Sequence, residues 1–160
     1  MLKSLGFVVC LVMVSGGAAV SASADQSCKP VVGSFEARVV LPPAMGGTCL
    51  AVFCTEGRVW GGLQGSYEFT MPTPPIYSGF GAINFFTGDS DVTTKSGDHV
   101  FGKDTGTIDF GPDGGFASLI TFTGGTGALA GTTGQIRLRG QLDLAAGTTS
   151  GDYLGTICTP

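Results

Sequence analysis

The 160-residue chain carries 12 Asp and Glu against 8 Lys and Arg, a formal net charge of −4, and only 12% of its residues are charged. Its basic residues are dispersed, with only Arg137 and Arg139 near each other on one strand-like run, so a basic nucleic-acid face is excluded. The length suits one domain with a real core, and aromatic residues continue through the Gly- and Thr-rich stretches, which excludes a disordered linker.

Residues 1–24 read as a secretory signal: Lys3 supplies the positive start, residues 6–14 the apolar middle, and Ala22, Ser23 and Ala24 the small-residue cleavage site. The apolar run is about half the ~20 residues that a spanning helix needs, and no later segment is long and apolar enough to span a bilayer as a helix. The expected mature chain, residues 25–160, is a single domain with 12 acidic and 7 basic side chains, placed in a secreted, periplasmic or other extracellular compartment. Cys10 leaves with the leader. Four cysteines remain, Cys28, Cys49, Cys54 and Cys158, an even number in an oxidising compartment, and two disulfides are the natural inference. Three pairings are open. A Cys54–Cys158 bridge is favoured, because joining an early strand to the last one closes a barrel and leaves Cys28–Cys49 to hold an N-terminal arm. A local Cys49–Cys54 bridge is the main rival. The spacings do not suit zinc knuckles, so no metal is expected.

After the leader no apolar helical stripe persists for more than a turn, and the domain reads as all-β. Candidate strands cover residues 33–41, 49–55, 58–71, 81–87, 90–95, 99–110, 116–123, 134–145 and 152–158, with Pro42-Pro43 and the Pro-rich run 72–75 as breaks. Within 63–71, Leu63, Tyr67, Phe69 and Met71 share one face, and Gln64, Ser66, Glu68 and Thr70 the other. Residues 135–144 alternate as strictly, with Ile136, Leu138, Leu142 and Leu144 opposite Gln135, Arg137, Arg139, Gln141 and Asp143. Closure into a barrel removes the unpaired edges that so many strands would otherwise expose, and in-strand glycines such as Gly61, Gly62, Gly65, Gly102 and Gly106 suit its bends. A two-sheet sandwich is the rival architecture.

Between the seventh and eighth candidate strands, Gly125, Gly127 and Ala130 fit the spacing of a dinucleotide fingerprint. That motif needs a helix, which Gly131 and Gly134 oppose at about 1 kcal/mol each relative to alanine. A barrel corner is the better reading. The run Thr123 to Leu138 also resembles the allene oxide cyclase family, and more loosely the dirigent proteins, whose barrels carry T-G-G-[ST]-G-x-[FL]-x-G-x-x-G-Q-[IV]-[KR]-L between late strands. The resemblance, to an exported bacterial-type member, covers about a tenth of the chain. It implies a closed antiparallel eight-stranded β-barrel, often a homotrimer, with an apolar lumen in which plant members steer cyclisation or coupling of small hydrophobic molecules. The catalytic residues of those enzymes lie outside the matching run, so no role carries over to a residue here.

His99 is the only histidine, which removes His-based metal clusters and leaves no G-x-S-x-G elbow for a triad to serve. The carboxylates of 89–113 lack the terminal glutamate of a calcium loop. No cofactor is expected. What remains is a lumen: Trp60, Tyr67, Phe69, Phe122 and Leu138 are the candidate lining, with a small hydrophobic molecule as partner. For cyclase or isomerase chemistry a carboxyl in an apolar cavity is required, and Glu56, Glu68, Asp104 and Asp109 are the candidates. Alternation puts Glu68 opposite Tyr67, and Asp104 opposite Asp109, so neither pair shares the lumen without a bulge. The alternative is a non-catalytic structural or interaction protein of the envelope or extracellular space. An empty cavity of several hundred Å³ would mark the binder, and a filled lumen the structural barrel.

Overall fold

The protein is described by a computed structural model covering residues 26–111 and 114–160; the expected leader lies outside the described residues. Nine strands follow in chain order: β1 (Ser27–Val40), β2 (Phe53–Gly61), β3 (Gly65–Met71), β4 (Ile76–Tyr77), β5 (Ile83–Thr94), β6 (His99–Asp109), β7 (Gly115–Gly125), β8 (Thr133–Asp143) and β9 (Thr148–Thr159). They form one antiparallel sheet in the order β3-β2-β1-β9-β8-β7-β6-β5, and β3 pairs with β5 across Gly65–Thr94 to Thr70–Asp89. The sheet is therefore a closed barrel of eight strands. The two-residue β4 prolongs the line of β3 beside the start of β5.

Alternation decides which side chains fill the barrel. On β3 Tyr67, Phe69 and Met71 are buried, and on β8 Ile136, Leu138 and Leu142 are buried, as their spacing predicts. Leu144 departs from it: β8 ends at Asp143, and Leu144 is exposed. The buried residues make one core cluster that runs along the barrel axis. Inward positions alternate between bulk and glycine. On β9 the inward row is Thr149, Gly151, Tyr153, Gly155 and Ile157, and on β6 it is Val100, Gly102, Asp104, Gly106 and Ile108. Gly33 shows the need for this: a Cβ there would lie 2.4 Å from the Tyr153 hydroxyl and 1.9 Å from the Trp60 carbonyl oxygen. That hydroxyl accepts the Leu63 N–H at 2.7 Å and lies 2.9 Å from the Trp60 carbonyl, closing one end of the barrel. We call it the terminal end, since β1 starts and β9 finishes there. The connections 41–52, 72–82 and 144–147 lie together at the other, the loop end, as do the described residues of the connection 110–114.

The glycine-rich run does form a corner. A 3-10 turn at Gly127–Leu129 joins β7 to β8, with Gly127 at φ +52° and Gly134 at φ +118°, conformations closed to most side chains. Two expected boundaries change. Residues 81–87 and 90–95 are one strand, β5, which passes straight through Gly88, and residues 58–71 split at a turn after Gly61 into β2 and β3.

Both disulfides form, but not in the favoured pairing: Cys28 bonds Cys158, and Cys49 bonds Cys54. The reason lies in the topology. β1 begins at Ser27 and lies between β2 and β9, with Cys28 directly opposite Cys158 in the β1–β9 register. Cys54 sits at the loop end, opposite Val40 and Thr70, a barrel length away from Cys158. The Cys28–Cys158 bond spans 130 positions and ties the two ends of the chain together, whereas Cys49–Cys54 spans 5. In the chain-entropy model these separations correspond to about 5 and about 2 kcal/mol. We expect Cys28→Ser with Cys158→Ser to lower the denaturant midpoint well beyond Cys49→Ser with Cys54→Ser; equal losses would contradict this account of closure.

Candidate functional site

Within the lumen, polar groups from four strands converge near mid-barrel. Asp104 (β6) is 3% exposed, with Ser90 (β5) and Ser118 (β7) on either side of it in the sheet and Tyr67 on β3 beyond Ser90. Alternation in β6 is unbroken, so Asp104 points in while Asp109 points out. The Ser90 hydroxyl donates to Asp104 Oδ2 at 3.4 Å, and the Tyr67 hydroxyl lies 3.3 Å from Ser90 Oγ. With the single Ser90 proton given to the carboxylate, Tyr67 is the donor to Ser90.

Burial lifts the Asp104 carboxyl from 3.8 to about 6, against the hydroxyls of Ser118 and Ser90 and the Thr105 N–H, which favour the charged form. Burial also pushes the Tyr67 phenol up, helped by the negative charge of Asp104 and opposed by the Ser90 hydrogen bond. Two polar atoms here have no hydrogen-bond partner of normal geometry, Asp104 Oδ1 and Ser118 Oγ. An unmet buried group of this kind costs about 1–3 kcal/mol.

These atoms line a cavity of about 50 Å³ whose wall is otherwise mostly apolar. Phe35, Tyr67, Phe69, Phe86 and Leu138 form its wall, and Phe53, Met71, Phe116 and Leu142 stand toward the loop end. Thr55 and Thr149 add hydroxyls. A cavity needs roughly 10–15 Å³ to hold one water, and ligand pockets run to about 300–1,000 Å³. The lumen thus falls short of the several hundred Å³ expected of a binder. A second gap of about 10 Å³, lined by Phe122, lies nearer the terminal end.

Of the residues singled out in the sequence, the fold brings Tyr67, Phe69, Leu138 and Asp104 around one cavity. Trp60 is a correction. Its neighbour Val59 takes the inward position, so the indole lies outside at 37% exposure, and only the Trp60 backbone takes part in the closed end. Glu56 and Glu68 sit opposite each other on the outer wall, where Glu56 pairs with Arg38. The Asp109 carboxylate accepts the Gly111 N–H at 2.8 Å and serves its own turn. Ser90 and Ser118 were missed, although each shares parity with buried neighbours, Ser90 with Phe86 and Val92, and Ser118 with Ile120 and Phe122. Among the described residues no group of three or more His, Cys, Asp or Glu side chains is placed to hold a metal ion, and no helix is long and apolar enough to cross a membrane.

No protein-family model matches the sequence, and no curated protein matches it. Among solved structures the barrel is similar to a pterocarpan synthase dirigent protein, at 11% identity and a TM-score of 0.38, covering 86% of this chain and 88% of that one.

The raised carboxyl has a consequence for stability. The folded state holds the Asp104 proton more tightly than the unfolded chain, so the stability this group contributes is fully present below about pH 4 and is lost as pH rises from about 4 to about 6. The full loss is on the order of 3 kcal/mol at 1.36 kcal/mol per pH unit. Asp104→Asn should abolish that slope and be the more stable protein at pH 7, read from urea midpoints across pH 3.5–7.5; parallel curves for the two proteins would rule it out.

Proposed function

We propose that the barrel binds a small apolar molecule carrying one polar group, taken through the loop end and held by Asp104 and Ser118. The observation that carries this reading is a pair of buried polar atoms without a hydrogen bond of normal geometry, Asp104 Oδ1 and Ser118 Oγ, facing a mostly apolar cavity. A hydroxyl on the ligand satisfies both, donating to the carboxylate and accepting from the serine. With about 50 Å³ free, a ligand of more than a few heavy atoms enters only when Phe53 and Phe116, half-buried at the mouth, turn aside.

A carboxyl raised by burial to about 6 is suited to proton transfer near neutral pH. Isomerase or cyclase-like chemistry would use Asp104 as the acid or base, with Ser118 orienting the ligand and the Tyr67–Ser90 chain supporting the carboxylate. The leader-like residues 1–24 and the two disulfides support export to an oxidising compartment. The homotrimer implied by the family resemblance would use the outer face of β1 and β9, where Val32 and Leu154 pair and are exposed.

A second reading, a non-catalytic structural or interaction protein, is favoured by the small free volume of the lumen. Phenol, an apolar ring with one hydroxyl, separates the two. On the lumen reading phenol binds saturably, and Asp104→Leu, which keeps the side-chain bulk and removes the polar anchor, stays folded and weakens binding at least about tenfold. Phenol affinity unchanged in Asp104→Leu would sink the lumen site and leave the structural reading.

A further inference from the structure

The exposed apolar side chains of this barrel are not spread evenly. Met45, Leu50 and Val52 stand in the first connection of the loop end, and Ile76, Tyr77 and Phe80 in the second. Leu50 is 92% exposed, Phe80 76% and Ile76 71%. Phe110 and Leu144 add an exposed apolar side chain to each of the two shorter connections. The four connections are hydrogen-bonded into one end: Cys49 N–H to the Leu41 carbonyl, Val52 N–H to Met71, Phe110 N–H to Ala82 and Val39 N–H to Gly147.

Charge is sparse on the same surface. Residues 41–52, 72–82 and 144–147 contain no Asp, Glu, Lys, Arg or His. At the strand ends Asp109 and Asp143 are turned to their own loops, accepting the Gly111 and Ala146 N–H groups. In the sequence Asp113 also falls between β6 and β7, and the four connections hold no Lys, Arg or His. The side wall is the opposite, with Gln135, Arg137, Arg139 and Gln141 outward on β8 and ion pairs Arg38–Glu56 and Lys103–Asp89 on its flanks. An apolar face this concentrated marks an interaction surface.

We infer that the loop end of the barrel docks on the surface of a neutral lipid bilayer, with the connections 41–52 and 72–82 inserted at the headgroup boundary. The charged wall forbids spanning or lying on one side, and the cation-free end, whose connections 41–52 and 72–82 carry no charge at all, fits an occupant that offers no charge. The absence of cations at this end removes attraction to anionic lipid, so zwitterionic lipid suffices. Aromatic and aliphatic side chains such as Tyr77, Phe80 and Leu50 are of the kind that sit at that depth. The lumen cavity lies behind the same end, with Phe53 and Met71 from the base of these loops in its lining, so an apolar ligand would pass from bilayer to lumen without crossing water. Only that last step rests on the lumen reading; docking stands without it.

Flotation with phosphatidylcholine vesicles tests the docking, using the oxidised protein recovered after export and its Leu50→Ser/Ile76→Ser/Phe80→Ser variant. None of the three lines the lumen cavity, so phenol binding in vesicle-free buffer reports the lumen separately and should be the same in both proteins. We expect the parent to float, the variant to lose at least about tenfold in partitioning, and added phosphatidylserine to bring no gain. No flotation of the parent, equal flotation of the variant, or flotation that needs phosphatidylserine would each overturn docking. So would sedimentation showing that the parent pairs with a second copy through these residues, with the variant monomeric.

Discussion

Pairing of β3 with β5 is the constraint on which the rest depends. Without it the sheet would be open, with β3 at one edge and β5 at the other, and two rows of backbone N–H and C=O groups unpaired. With it each of the eight long strands has two neighbours, and each side chain on them is assigned by parity to the lumen or the wall. Tight turns and inward glycines make this closure geometrically feasible, and the Cys28–Cys158 bond holds β1 to β9 beside the chain ends. The barrel is narrow enough that Phe35, Tyr67, Phe69, Phe86 and Tyr153 nearly fill it, which is why glycine must alternate with bulk along the inner rows.

That filling gives Asp104 its character. On β6 the carboxylate stands between Gly102 and Gly106, so the strand itself supplies no neighbouring bulk and the space about the carboxyl is walled by other strands. Two hydroxyls and one backbone N–H favour its charged form without overcoming the loss of water. An ordinary apolar residue would be cheaper at this position. A carboxylate and two serines inside a largely apolar tube leave Asp104 Oδ1 and Ser118 Oγ without a hydrogen bond of normal geometry.

Much of the architecture was legible in residue spacing. The alternation in 63–71 and 135–144 identified the inner faces of β3 and β8, and the glycines around Thr132 and Thr133 argued for a corner against a phosphate-binding helix. Other features were hidden for physical reasons. Gly88, Asp89 and Ser90 have turn composition, yet β5 runs straight through them, because Gly88 faces the lumen where a Cβ would lie 2.3 Å from the Phe69 ring. That misplaced break concealed Ser90. Pro30 and the weak alternation before Gly33 concealed the first turns of β1, and with them the facing position of Cys28 and Cys158. Trp60 misled because aromatic bulk suggests burial, whereas parity with Val59 decides the side. Asp104 stood among four candidate carboxylates, and the strand parities fixed by closure separate it from Glu56, Glu68 and Asp109.

The central claim, a closed barrel with one buried carboxyl facing a mostly apolar cavity, is tested most directly by a carbon-13 NMR titration of the Asp104 carboxyl in the oxidised protein. The account predicts a midpoint near 6, well above the ordinary 3.8. A midpoint at or below 4 would show a hydrated or ion-paired carboxylate and would contradict the lumen described here.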